Sequence, residues 1–342
     1  MGDGRNLSPW TLPLLPAGWL YCKLNDLRAD LYRMGRLKSL PLDRPVLSIG
    51  NLTFGGTGKT PVTLHVAKIL LSKGKKPAIL LRGYGRETTG PRLVESSSAP
   101  IDVGEEALLF ARELPPGSVA VSERRELGAR MLPSPPDLYL LDDGFQHLRI
   151  HRDADIVLVD ALRLRDLRPA PAGRLRESPK AALKRADLLL VTRGTPADLS
   201  GTLRRAWGER PLASVHFEWE EELLPSGTGT LTSLKASRIC AFAGIGNPHA
   251  FFEQARGKGL TLLETAVFPD HAYPTPGRLR QILEIARRRF CEVILTTEKD
   301  WIKWAPAWKG PVPLAAVRQT TCIEDPDGAL DRILNSLIGR ET

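Results

Sequence analysis

Cysteine is scarce: Cys22, Cys240, Cys291 and Cys322 are the only four among 342 residues. None forms a CxxC pair, which argues against a structural zinc site. The scarcity suits a reducing compartment and unpaired thiols. Aromatic residues make up only 6% of the chain. No segment interleaves them with basic residues as single-strand binders do, so nucleic acid is not an expected partner. No apolar run approaches the roughly 20 residues that a membrane-spanning helix needs. The start lacks the layout of a secretory signal, because Pro9, Pro13 and Pro16 interrupt its only apolar stretch. No repeat of fixed period and no extended low-complexity tract is present.

What is present is ordinary globular composition, 42% hydrophobic and 25% charged, in a chain long enough for two domains. The net charge of +9 favours anionic partners such as phosphorylated small molecules or an anionic membrane surface. Between Trp19 and Lys38, Leu20, Leu24, Leu27, Leu31 and Met34 recur at helical spacing on one narrow face. Lys23, Arg28, Arg33, Arg36 and Lys38 lie mostly off it, and Trp10, Trp19, Tyr21 and Tyr32 add amphipathic aromatics. Such a helix either lies in a membrane interface or packs its leucines on the body behind it.

Short apolar runs follow: Val46–Ile49, Ala78–Leu81, Val119–Val121, Leu138–Leu141, Ile156–Val159 and Leu188–Val191. Each reads as a buried parallel strand, and helical patterns between several of them predict an α/β fold. Ile239–Phe242 and Val293–Leu295 bracket a second α/β stretch, with a helix predicted from about Pro276 to Phe290. Ala213–Glu218 and Leu314–Gln319 are candidates for two paired linking strands.

The strongest local signal is Thr53-Phe54-Gly55-Gly56-Thr57-Gly58-Lys59-Thr60, between a strand and a helical run. Glycines let backbone N–H groups turn around phosphate oxygens, and the helix N-terminus adds a favourable dipole. In that reading Lys59 reaches the β- and γ-phosphates and Thr60 offers its hydroxyl to Mg²⁺. The first glycine of the P-loop pattern is replaced by Thr53. No N-K-x-D guanine signature is present, so ATP is the expected nucleotide. Leu138–Leu141 runs into Asp142-Asp143, where a P-loop fold holds its metal. A sugar or other hydroxyl acceptor needs a base, and among six histidines His147 and His271 remain open as candidates. Glu105-Glu106 is a candidate carboxylate partner for either.

Taken together, Ser48-Ile49-Gly50-Asn51-Leu52-Thr53 leading into GGTGKTP, Arg82-Gly83-Tyr84-Gly85-Arg86, Asp142-Asp143-Gly144-Phe145-Gln146-His147, Pro171–Glu177, Phe268-Pro269-Asp270-His271 and Thr296–Asp300 resemble the tetraacyldisaccharide 4'-kinases of lipid A synthesis. The resemblance implies an α/β P-loop NTPase-like α/β/α sandwich joined by a two-stranded linker to a second, smaller α/β domain. The expected bounds are 1–38 for a membrane-contacting segment, 39–212 for the kinase domain and 213–235 for the linker. The smaller domain follows at 236–313, and 314–342 forms the return strand and terminal helix. It implies ATP and Mg²⁺ as cofactors, with an acylated disaccharide 1-phosphate lipid as substrate. It also implies a peripheral position on the cytoplasmic face of the inner membrane.

The metal set it implies is Thr60, Asp142, Asp143 and Glu177, and the catalytic set is Lys59, Asp143, Glu105 and His271. Arg82, Gln146, His147 and Arg176 are expected toward the substrate. The family pairs an Asp in a Gly-Asp-Glu segment with the His of Phe-Pro-Asp-His. Here Glu105 stands in place of that Asp, and Ser178 separates Glu177 from Pro179. The alternative is a P-loop nucleotide-dependent switch or scaffold at the membrane surface.

Overall fold

Val46–Asn51 (β1) is buried at every position, as a strand flanked by parallel neighbours and covered on both faces must be. The computed structural model describes residues 13–339, so the readings of Pro9 and Trp10 lie outside it. In chain order the other strands are β2 Pro77–Leu81, β3 Arg92–Leu93, β4 Val119–Val121, β5 Leu138–Asp142, β6 Ala154–Asp160, β7 Leu188–Thr192, β8 Leu212–Leu224, β9 Ile239–Ala243, β10 Leu262–Val267, β11 Val293–Thr297 and β12 Leu314–Glu324. The helices are α1 Leu15–Arg33, α2 Lys59–Ser72, α3 Pro100–Val103, α4 Glu105–Glu113, α5 Arg125–Ala129, α6 Pro179–Leu183, α7 Gly201–Trp207, α8 Pro248–Gly257, α9 Pro276–Arg288, α10 Glu298–Trp304 and α11 Ala329–Ile338.

All strands belong to one 12-stranded sheet of order β10-β9-β11-β12-β8-β7-β6-β1-β5-β2-β4-β3. We call β1–β7 with their helices the P-loop half, and β9–β11 with theirs the C-terminal half. Between them β8 and β12 pair antiparallel, from Ala316 opposite Leu224 to Glu324 opposite Ser214. Alternation within strands builds a core on each face. Ile156, Leu158, Leu188 and Leu190 pack toward Val62, Val66 and Leu70 of α2. Their neighbours Val157, Val159, Leu189 and Val191 pack toward Leu183, Leu203 and Trp207.

Three details differ from the sequence reading. Cys240 and Cys291 are joined by a disulfide between β9 and the residue following the C-terminal turn of α9, whereas unpaired thiols were expected. The short edge strand β3 and strand β10 carry too weak a pattern to be read ahead. The N-terminal helix starts at Leu15, with proline in its first turn, and ends at Arg33 ahead of Gly35, whose φ is 71°.

α1 docks through small residues. Gly18, Cys22 and Ala29 are its buried positions. A Cβ on Gly18 would lie 2.9 Å from the Pro169 carbonyl, so only glycine permits this approach. Asp26 accepts the Ser178 backbone N–H at 3.1 Å. Leu20, Leu24 and Leu27 face away, 61, 56 and 55% exposed, with Trp19 and Met34 exposed beside them. These stripe residues therefore do not pack on the body behind the helix, while Leu31 is half-buried. Among the described residues no helix is long and apolar enough to cross a membrane.

Candidate active site

The loop after β1 enters α2 through Gly58, a left-handed residue at φ 91°, and Gly55 is also left-handed at φ 109°. Phe217 of β8 fills the space where a Cβ on Gly58 would sit, at 2.2 Å. Asn51 braces the loop from inside, donating from Nδ2 to Thr57 Oγ1 at 2.9 Å. Thr53 forms an isolated bridge with Leu175, and the Phe54 N–H donates to the Arg174 carbonyl at 2.8 Å. The Phe54 ring lies under the Arg176 guanidinium at 4.8 Å. Gly56 offers its carbonyl to Arg193 at 2.7 Å.

Asp142 ends β5 and is buried. Thr63 and Thr60 donate to its two oxygens at 2.8 and 3.3 Å. Asp143 follows in the left-handed region at φ 49°, a strained setting for a non-glycine residue that turns its side chain toward the loop. Its carboxylate lies 3.8 Å from Lys59 Nζ and is held by Arg176 at 3.0 Å. Burial opposes ionisation of Asp143, but Lys59, Arg176 and Arg125 outweigh it and hold the group below the usual carboxylate range. Burial raises Asp142 to about 7, reinforced by the charge of Glu106 and opposed by Lys59 and Thr63. Two adjacent carboxylates are thus driven apart in proton affinity.

Across the sheet, His271 Nδ1 meets Glu105 Oε1 at 3.3 Å, although the two residues are 166 positions apart. Glu105 begins α4 in the P-loop half, and His271 sits in the turn before α9 in the C-terminal half. His271 is left-handed at φ 62°, and its N–H donates to the Gly244 carbonyl at 3.2 Å. The Glu105 hydrogen bond raises His271 above the ordinary imidazole value, against burial and the charge of Lys299. Burial would raise Glu105, but His271, Lys303 and Lys299 together bring it below the usual range. Glu106, next in the chain, pairs with Lys299 at 3.1 Å and also acts on Asp142. The carboxylate–histidine pair and the Asp142–Asp143 pair therefore share one electrostatic neighbourhood.

The comparisons with known proteins fit this arrangement. Residues 10–338 match the family described as tetraacyldisaccharide-1-P 4'-kinase, LpxK. The chain belongs to that family. A tetraacyldisaccharide 4'-kinase of Pelobacter propionicus is 40% identical over 311 residues, spanning 85% of this chain and 82% of that protein. One from Geobacter metallireducens is 37% identical, spanning 90% of this chain and 94% of its own. The crystal structure of LpxK from Aquifex aeolicus in complex with ATP is 31% identical, with a TM-score of 0.78, and covers 96% of this chain and 99% of that one. The α/β fold with a P-loop is that of this kinase family.

The remaining residues singled out from sequence are placed differently from one another. Gln146 and Arg176 join the cluster: Arg176 donates to Gln146 Oε1 at 2.8 Å, and Gln146 Nε2 donates to the Asn51 carbonyl at 2.9 Å. Glu177 is linked to Asp143 through Gln146 and Arg176. Its oxygens accept from Gln146 and Arg185, at 2.9 and 2.8 Å. Among the described residues no three His, Cys, Asp or Glu side chains converge as a metal cluster. His147 is pushed down to about 3 by burial and by Arg125, and its Nε2 is buried without a hydrogen-bond partner. Arg82 is exposed at the end of β2 and touches this network through its charge on Arg125.

Sequence reading missed Thr63, Arg125 and Lys303, and quoted Lys299 only within Thr296–Asp300, without a role. Thr63 could have been found, because it lies one helical turn after Thr60 on the same face of α2. Arg125 donates to the Asp142 and Asp143 carbonyls at 3.1 and 3.3 Å. Its signal was its place after β4, at the same carboxyl edge of the sheet as the P-loop.

Proposed function

We propose that this protein transfers the γ-phosphoryl group of ATP to the 4'-hydroxyl of an acylated disaccharide 1-phosphate, the lipid A precursor. It does so with Mg²⁺, as a peripheral protein on the cytoplasmic face of the inner membrane. The reading rests on the meeting of Glu105 and His271 beside a P-loop and an aspartate pair. A nucleotide switch needs the cradle alone; a base aimed at the same place needs a hydroxyl acceptor.

The oxygen-rich set of Thr60, Asp142 and Asp143 suits a hard divalent cation. A buried carboxylate lifted to about 7, as Asp142 is, gains from an added cation beside it. Those three residues would hold Mg²⁺, which would neutralise charge on the phosphates. Glu177 then orients Gln146 and Arg185 rather than binding metal.

The acceptor oxygen attacks the γ-phosphorus as the bond to the bridging oxygen breaks, and ADP leaves. Glu105 holds the Nδ1–H tautomer of His271, which leaves Nε2 to take the hydroxyl proton. Lys59 and Arg176, both paired with Asp143 here, supply positive charge to the transferring group. Residues 39–212 and 236–313 act as two bodies that adjust about the paired strands β8 and β12, so that nucleotide and acceptor meet between them.

The leucine stripe of α1 supports the membrane assignment. Trp19, Leu20, Leu24, Leu27 and Met34 are exposed together with Lys23, Arg28 and Arg33. Placing this apolar face in lipid would gain on the order of 5 kcal/mol, and each basic residue adds about 1 kcal/mol at an anionic surface. The test is ATP turnover with and without the acylated disaccharide 1-phosphate in mixed micelles. The proposal expects turnover to depend on the acceptor. Turnover indifferent to it would return the protein to the switch reading.

A further inference from the structure

Lys303 lies on α10 with a side chain that is 0% exposed. Its Nζ is 3.1 Å from Glu105 Oε1 and 3.3 Å from Asp300 Oδ1. Neither contact has hydrogen-bond geometry, so both act as ion pairs. Asp300 is itself fixed: Oδ2 accepts the Gly244 N–H at 2.9 Å and the Thr297 hydroxyl at 2.8 Å. The Gly244 carbonyl accepts the His271 N–H. One frame of the C-terminal half therefore holds both His271 and the cation that faces Glu105 of the P-loop half.

A fully buried ammonium between two carboxylates is costly unless its place serves a purpose. A leucine or methionine would fill a helix position against Tyr273 at lower cost. Glu105 Oε1 receives both His271 and Lys303, while Oε2 is buried without a hydrogen-bond partner. The carboxylate is thus aimed by two groups from across the sheet. The other charged or titratable groups facing this point are Asp300 on α10 and Tyr273, whose ring is 5.9 Å from Nζ. Asp270 faces the other side of the ring, with Oδ1 3.8 Å from His271 Nε2, and beyond these lie Lys299 and Glu106.

We infer that Lys303 is a positioning residue for phosphoryl transfer: it bridges Asp300 to Glu105, locks the two halves in register at the carboxylate–histidine pair, and keeps that pair able to accept the acceptor's proton. This rests on the kinase reading with His271 as base. The Glu105–His271 pair titrates as a unit. Removing a positive charge beside Glu105 raises the proton affinity of the whole pair, so it stays protonated to higher pH.

The experiment compares kcat against pH for wild type, Lys303→Met and the double variant Lys303→Met/Asp300→Asn, each first checked for a cooperative melt. The double variant restores the local charge count and guards against misfolding of the single one. The inference expects kcat at pH 7 to fall at least about tenfold, with KM for ATP nearly unchanged, because Lys303 touches no nucleotide site. It expects the acid limb of kcat to move up by about one pH unit. A purely structural lysine would lower the plateau and leave the limb in place, and that result in folded Lys303→Met overturns the inference. In the double variant, where the lost charge of Asp300 offsets that of Lys303, the limb should return toward wild type while kcat stays at least about tenfold down, and a wild-type kcat there overturns the inference as well. His271→Ala separates the two levels. Near-normal kcat there would remove the base itself, whereas an inactive His271→Ala beside an unmoved limb in Lys303→Met would remove only the role of Lys303.

Discussion

Asp142→Asn should raise the stability of the ligand-free protein at alkaline pH relative to acid pH, while abolishing phosphoryl transfer. An aspartate titrates near 3.8 when unperturbed and Asp142 near about 7 in the fold. About three units correspond to roughly 4 kcal/mol, an upper bound for a group coupled to its neighbours. Since the folded value is the higher one, this contribution to stability is complete below about pH 4 and is lost as pH rises through about 7. Some 2–3 kcal/mol of that loss falls between about pH 5 and about pH 8. Asparagine has no such titration. It keeps one acceptor oxygen where the carboxylate accepts from both Thr60 and Thr63, so it forfeits about 1 kcal/mol at every pH. The variant should be slightly less stable than wild type below about pH 4, close to it near pH 5 and more stable near pH 8, there by a few degrees in Tm. Melts in EDTA without nucleotide across that range provide the assay. Parallel Tm profiles for the two proteins would refute the reasoning, because they would mean that Asp142 ionises in the fold without cost.

Three further outcomes are expected. Lys59→Ala removes the P-loop ammonium 3.8 Å from Asp143 and should lower kcat by about a hundredfold; near-normal turnover in a folded variant would dismiss the P-loop assignment. Serine at Leu20, Leu24 and Leu27 together should weaken binding to anionic vesicles by about a hundredfold, with Tm within about 2 °C of wild type because these side chains are already exposed. A large loss of Tm would instead show that the stripe packs on the protein in solution. Glu105→Gln and His271→Ala should each lower kcat far more than they change KM for ATP, and the double variant should be little worse than either, as residues acting as a unit are non-additive. Multiplicative losses would show that the two act independently.

The parallel strands were legible because residues buried on both sheet faces leave continuous apolar runs, as in Leu188–Thr192, where all five positions are buried. β10 escaped because it is an edge strand with a broken burial pattern, and β3 because two residues carry no period. The P-loop and Asp142-Asp143 were legible because backbone geometry demands glycines and a strand end demands its carboxylates in sequence. The helix of the leucine stripe was legible, but its direction was not: whether leucines or small residues face the protein depends on Pro169 and Ala170 meeting Gly18. Lys303 could not be read at all. Its burial between Glu105 and Asp300 exists only once α10 and α4 pack together, nearly two hundred positions apart. The hydrogen bonds of Glu177 were not legible for the same reason, since its partners Gln146 and Arg185 are brought to it by the fold. The disulfide likewise depends on β9 meeting the C-terminal end of α9, which no spacing of four scattered cysteines reveals.

The most direct measurement is the position of the new phosphate. The protein is incubated with ATP, Mg²⁺ and an acylated disaccharide 1-phosphate in mixed micelles, and the product is read by phosphorus NMR and mass spectrometry. The account predicts a bisphosphorylated lipid with its second phosphate on the 4'-oxygen of the distal sugar, formed with one ADP per product and lost in His271→Ala. ADP and inorganic phosphate released with the lipid unchanged, or a phosphate on another hydroxyl, would contradict it.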